Sequence, residues 1–201
     1  QYVGSAFFFI CPVSTHLRSE VTFVKKILAL ALAACLALTL AACSGNTVSL
    51  PQLTLPESSA SESGGEQAAP ETVGDQEFSD DLSGLCQYLE ENYAVAGEKE
   101  EMSYQAIGAK GGYRYLFTYE GGTVQAEFYE FDPENLDDAA QACVDSVKEK
   151  GWFQMLDNEV QAKLSPNEKY MMIYHDSKEK EEKNAAQRAR VEELFDAFHQ
   201  D

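Results

Sequence analysis

His175 stands beside Asp176 at the end of an apolar run, the arrangement a general base and its orienting acid would need. The pair lacks a third ligand or a placed nucleophile, so a strand end that faces solvent or caps the next element accounts for it better. His199 suits the dipole of a terminal helix and is expected at a frayed end. Asp132, Glu134, Asp137 and Asp138 crowd one helix start without the alternating ligand spacing of a calcium loop, and a solvated helix start explains them. Gly108-Ala109-Lys110-Gly111-Gly112 lacks the spacing of a phosphate loop and leads into a strand, which makes it a turn. The feature with binding potential is the tyrosine set Tyr113, Tyr115, Tyr119, Tyr129, Tyr170 and Tyr174. On an exposed sheet face tyrosines stack sugars and grip peptides. Tyr113, Tyr115, Tyr129 and Tyr174 are the candidate ligand-binding residues, set against the plainer alternative of core packing.

Positioning these groups falls to residues 78–201, long enough to bury a core unaided. Ser79 is expected to cap a helix, with Asp80 and Asp81 in its first turn and Leu82, Leu85, Cys86, Leu89 and Tyr93 along its apolar stripe. Met102–Ile107 reads as a weaker strand. Tyr113, Tyr115, Phe117 and Tyr119 alternate with Arg114, Leu116 and Thr118, the period of a strand, and Glu120-Gly121-Gly122-Thr123 supplies a hairpin turn. Pairing Glu120 with Thr123 would set Tyr119 opposite Val124, Phe117 opposite Ala126 and Tyr115 opposite Phe128. One face is then apolar, with Arg114, Gln125, Glu127 and Tyr129 on the other. Asp132-Pro133 is expected to open a second helix that buries Leu136, Ala139, Ala140, Cys143, Val144 and Val147 and ends at Gly151. Trp152-Phe153 would pack that helix end onto the sheet. Val160, Ala162 and Leu164 alternate as one strand, Ser165–Glu168 turns, and Tyr170–His175 reads as an interior strand. Asp176-Ser177 would cap a last helix, solvated over Lys178–Arg190 and docked by Val191, Leu194, Phe195 and Phe198. Hairpin-then-helix thus recurs, with Phe131-Asp132 and His175-Asp176 at matching corners. The expected fold is α+β: one small domain with an antiparallel sheet of about five strands and three helices, in the order α-βββ-α-ββ-α.

Upstream, Lys25-Lys26 precede a 16-residue, predominantly apolar run, Ile27 to Ala42, broken by Ser44-Gly45-Asn46. That succession of charged, apolar and small-residue regions is an export signal, and the run is short for a bilayer span of about 20 residues. Leu40-Ala41-Ala42-Cys43 resembles the lipobox of bacterial lipoprotein precursors, and Lys25-Lys26-Ile27-Leu28 resembles their usual opening. The resemblance implies a signal peptide over 24–42, recognised through Leu40, Ala41 and Ala42 and cleaved before Cys43. It further implies a diacylglyceryl thioether on Cys43, and attachment through that lipid to the extracytoplasmic face of the cell membrane. It covers Lys25 to Cys43 alone, so it carries an address and an anchor but no activity. Residues 1–23 depart from the pattern and read as an extension foreign to the precursor, with translation expected to start at Val21 or Val24.

The formal charge of −19 argues against nucleic acid as a partner and against adsorption to anionic lipid, which leaves the covalent lipid as the means of attachment. Removing the leader takes away more basic than acidic groups and deepens that charge. Residues 43–77, rich in Ser, Gly, Pro and Glu, read as a lipid-anchored cysteine followed by a disordered linker, with Leu50, Leu53 and Leu55 too sparse to found an element. As a flexible coil it would span roughly 30–35 Å. Cys86 and Cys143 could form a disulfide in an exported domain, but both fall on apolar helix stripes, which favours buried thiols. The reading that follows is a non-catalytic binding or accessory module for a small ligand, glycan or envelope protein, with no cofactor. A cell-envelope hydrolase using His175 and Asp176, and a structural or inhibitory subunit of an envelope complex, are the alternatives.

Overall fold

The sheet forms around a tight hairpin. In the computed structural model, which describes residues 49–56 and 71–200, five strands make one antiparallel sheet in the order β1 (Glu100–Glu101), β2 (Gly111–Tyr119), β3 (Gly122–Glu130), β7 (Tyr170–Asp176) and β6 (Lys163–Leu164). Strands β4 (Trp152–Met155) and β5 (Asn158–Gln161) pair in a separate ribbon. Helices α1 (Leu82–Glu91), α2 (Asp138–Lys150) and α3 (Glu182–Ala197) complete the α+β domain. The expected extension over 1–23, the expected leader over 24–42 and the expected lipid site Cys43 lie outside the described residues.

Glu120 (φ 44°) and Gly121 (φ 74°) are the two central residues of the β2–β3 turn, both left-handed, as a primed two-residue turn requires. Tyr119 therefore pairs with Gly122, Phe117 with Val124, Tyr115 with Ala126 and Tyr113 with Phe128. This corrects the expected register, in which the two glycines formed the loop. The shift is two residues, so every side chain keeps its face.

Tyr115, Phe117, Val124, Ala126, Phe128, Tyr170 and Met172 lie on one face and pack against Leu85, Leu89, Val191, Leu194 and Phe195 of α1 and α3. The opposite face was expected to be polar, yet Glu127 and Tyr129 are buried there. Helix α2 covers one end of it, joining Ala140, Val144 and Val147 to Tyr129, Phe131 and Met171 in a second cluster. The sheet is thus sandwiched over part of its area. The two hairpin-then-helix units place their helices on opposite faces, α2 on one and α3 on the other.

Several boundaries move, each for a local reason. Asp81 caps α1 by accepting from the Gly84 amide at 2.8 Å, which frees the expected cap Ser79. Gly84 has to be glycine: a Cβ there would lie 1.9 Å from the Ser79 carbonyl oxygen. Tyr93 leaves the apolar stripe, with left-handed backbone and 40% exposure, and Tyr88 takes the buried position on this helix instead. The expected strand 102–107 does not form: β1 lies just before it at Glu100–Glu101, and Gln105–Ile107 is a 3-10 turn. Helix α2 begins at Asp138 under an Asp137 cap, because Asp132 spends its carboxylate on the Glu134 amide and the Asn135 side chain. Its C-terminus is as expected, with Gly151 left-handed. Trp152 and Phe153 open β4 of the ribbon. The strand expected through Val160 and Leu164 splits at Ala162 into β5 and β6, which belong to different sheets. Helix α3 starts at Glu182, not after Asp176-Ser177. Asp176 is buried and accepts from the Lys178 amide and from Asn184 Nδ2, so Asn184 and Gln187 are buried within a stretch expected to be solvated.

The linker also departs from expectation. Gln52 forms a parallel bridge to Thr118, the Leu53 amide donates to the Thr118 carbonyl at 2.8 Å, and the Thr118 amide donates to the Pro51 carbonyl at 2.8 Å. Leu53 is 5% exposed and belongs to the core, with Leu55 packed beside it. Leu53 and Leu55, which looked too sparse, have seats against the core, which no periodicity within the segment could announce. Further on, Asn92 exchanges hydrogen bonds with the backbone of Val73, holding residues 71–77 against α1. Leu53→Ala is expected to cost about 2 kcal/mol, the low end for a buried leucine because a strap can close over the void. A shift in the urea midpoint without a change in slope checks this.

Candidate functional site

His175 and Asp176 end β7, and successive residues of a strand face opposite ways. His175 is exposed on the α2 face, opposite Gln125, whereas Asp176 is buried on the other face against Asn184. Asp176 makes no hydrogen bond to His175, so the two side chains do not form the base-and-acid pair their adjacency suggested. His199 is not frayed. Its amide donates to Asp75 at 2.8 Å and its Nε2 lies 3.0 Å from the Phe78 carbonyl oxygen. A carbonyl can only accept, so Nε2 carries a proton and the ring serves to fasten the chain end.

Three of the four candidate tyrosines are core. Tyr115 is fully buried and its hydroxyl donates to Glu90; Tyr129 is 3% exposed and donates to Glu127 at 2.7 Å. Tyr174 is 7% exposed and its hydroxyl has no partner. Burial pushes all three phenols well above the ordinary range, and a carboxylate adds to it in each case: Glu90 for Tyr115, Glu127 for Tyr129 and Asp176 for Tyr174. These positions hold the sheet together and present no ligand face, because α1 and α3 cover one side and α2 part of the other. Tyr113 alone stays half-buried, with Lys99 over its ring at 5.1 Å from the centroid.

Tyr113 borders a shallow cleft of about 260 Å³ with Asp81, Glu101, Tyr104, Lys110 and Glu130. The N-terminus of α1 opens beside it, but the chain's own carboxylates fill that position: Asp81 takes the Gly84 amide and Glu130 takes the Leu82 amide at 3.1 Å. Lys110 is paired with Glu130 at 3.7 Å. The cleft therefore offers no unsatisfied charge to an anion. A second cleft, about 390 Å³, lies between α2 and β6, where Lys148 is paired with Glu168 at 2.6 Å. Among the described residues no three His, Cys, Asp or Glu side chains stand together as a metal site would require.

The stretch of sheet that no helix covers is more distinctive, and sequence patterning passed over it. Arg114, Glu127 and Ile173 lie in register across β2, β3 and β7, and Leu116, Gln125 and His175 form the next row. Glu127 is buried and accepts from Gln125 at 2.8 Å and from Tyr129, while Arg114 reaches outward to Glu100 at 2.6 Å. Leu116 is 38% exposed, a large apolar side chain on an open sheet face. Arg114, Gln125 and His175 around exposed Leu116 and partly buried Ile173, with buried Glu127 fixing Gln125, make a rigid patch suited to contact with another surface. The available signal was the alternation of Arg114, Leu116 and Thr118 with the aromatics; its meaning depended on where α2 would stop.

Cys86 and Cys143 are free and buried, one in each cluster on opposite faces of the sheet, so they do not pair. Burial raises both thiols to about 11 from an ordinary 9.0. At pH 8 the thiolate fraction falls about a hundredfold, and reaction with a soluble disulfide reagent should slow by at least that factor against the unfolded chain. A raised folded-state pKa also means that the stability these thiols contribute is complete below pH 9 and declines as pH rises towards 11. Rapid labelling of either cysteine in the native protein at pH 8 would contradict this packing.

Among the described residues no helix is long and apolar enough to cross a membrane. No protein-family model, curated protein or solved structure matches this chain.

Proposed function

We propose that this chain is a bacterial lipoprotein, anchored to the extracytoplasmic face of the cell membrane through acylated Cys43, whose α+β domain acts as a binding or accessory module without catalysis of its own. The observation that carries the reading is the run from Lys25-Lys26 through the Leu/Ala-rich segment to Leu40-Ala41-Ala42-Cys43. The acidic composition agrees with it, since electrostatic adsorption to anionic lipid is unfavourable and a covalent lipid supplies the attachment. Contact with a small ligand, glycan or envelope protein falls to the uncovered sheet patch around Leu116, Gln125 and His175. Mass spectrometry of the N-terminal peptide from detergent-extracted membranes tests the anchor: a peptide beginning at Cys43 and carrying diacylglyceryl is expected. An unmodified Cys43 on an uncleaved chain would overturn it.

A further inference from the structure

The linker is anchored along its own length. Thr118 offers the outward-facing amide and carbonyl of the β2 edge, and Pro51 and Leu53 take both. Pro51, which has no amide to offer, sits where an edge position tolerates proline, and it packs on the bare backbone of Gly97, where a Cβ would lie 2.5 Å from its Cγ. Leu53 goes into the core cluster. Backbone pairing, a core side chain and a fitted proline together make a strap.

We infer that this strap divides the linker into two segments with different jobs, so that only residues 44–50 form the leash between the membrane and the domain. The inference rests on the lipid-anchor reading above. Residues 57–70 then fall in sequence between two docked points, Leu53–Leu55 and Val73, and add nothing to the reach. At roughly 3.3–3.6 Å per residue the leash extends at most about 25 Å, whereas an undivided linker over 44–77 could extend to about 120 Å. The domain is held close to the bilayer by the β2 edge, where the leash enters, and the module works on objects at the membrane rather than at a distance.

Two insertions of twelve Gly/Ser residues in the full chain test this, one after Asn46 and one after Gly64. A dye on Leu156→Cys, the 89% exposed tip of the β4–β5 ribbon, reports energy transfer to labelled lipid, since Cys86 and Cys143 are buried. The insertion after Asn46 should lower the transfer severalfold, and the insertion after Gly64 should leave it unchanged. In both variants the Leu53 and Thr118 amides should stay protected from hydrogen exchange. Equal loss of transfer from both insertions, or unprotected Leu53 and Thr118 amides, overturns the strap. Absence of transfer in every variant and in Cys43→Ser alike removes the lipid anchor and the leash with it, while the two amides still report whether the strap is docked.

Discussion

Replacing Cys43 with serine is expected, on the proposed lipid anchor, to move this protein from the membrane fraction to the soluble or precursor fraction almost completely. The chemistry is all-or-none, because a serine hydroxyl does not form the thioether that carries the diacylglyceryl group. The energetics are equally one-sided. Twenty buried methylenes on two chains contribute about 16 kcal/mol at roughly 0.8 kcal/mol each. Among the described residues nothing supplies such an anchor: no helix there is long and apolar enough to cross a membrane, and a formal charge of −19 is repelled by anionic lipid. Carbonate-washed membranes should retain the wild type and lose Cys43→Ser, while the thermal midpoint of the domain stays unchanged. Retention of the variant after the wash would mean that the apolar segment itself holds the protein as a helical anchor, and the lipid reading would fall.

What could be read from sequence depended on how far apart the determining contacts lie. The central hairpin was legible because its signal is local: aromatics at every second position, glycine at the turn, and parity that survives a two-residue slip. The end of α2 was legible for the same reason, Gly151 being the left-handed residue its position demands. Helix starts were not, because several acids compete for each cap and the winner is chosen by tertiary geometry. Asp80 illustrates this: it is drawn out of the α1 cap to accept from Tyr170 at 2.8 Å and to pair with Lys169 at 2.9 Å. Although burial opposes its ionisation, those two partners hold its carboxyl below the usual range. The tyrosines were misjudged in a similar way. Their alternation located the strands, but whether a face is open depends on helices outside the hairpin, α1 and α3 on one side and α2 on the other. The strap of Pro51–Leu53 was the least legible element, since its partner Thr118 is 67 residues distant. A segment that joins a sheet by edge pairing needs only one well-placed leucine, and one leucine has no period.

The removal of one aromatic ring should show how much of the domain is built on such distant contacts. Phe198 is fully buried just beyond α3, with ring centroids of Tyr88 at 5.3 Å, Tyr170 at 5.7 Å and His199 at 4.5 Å. It thus joins α1, α3 and β7 at one point. Phe198→Ala is expected to cost about 4 kcal/mol, because three elements fixed in a sheet-and-helix sandwich cannot all close on the void. With a urea slope of about 2 kcal/mol/M the midpoint should fall by roughly 2 M. Leu156→Ala, at the exposed ribbon tip, should shift it by no more than about 0.3 M. The loss should also reach the segment before α1, because His199 fastens the chain end to Asp75 and Phe78. Amide exchange at His199 should accelerate in step with global unfolding. If it accelerates while the urea midpoint stays in place, the C-terminal turn is an appendage that frays on its own, and Phe198 is not the junction its contacts describe.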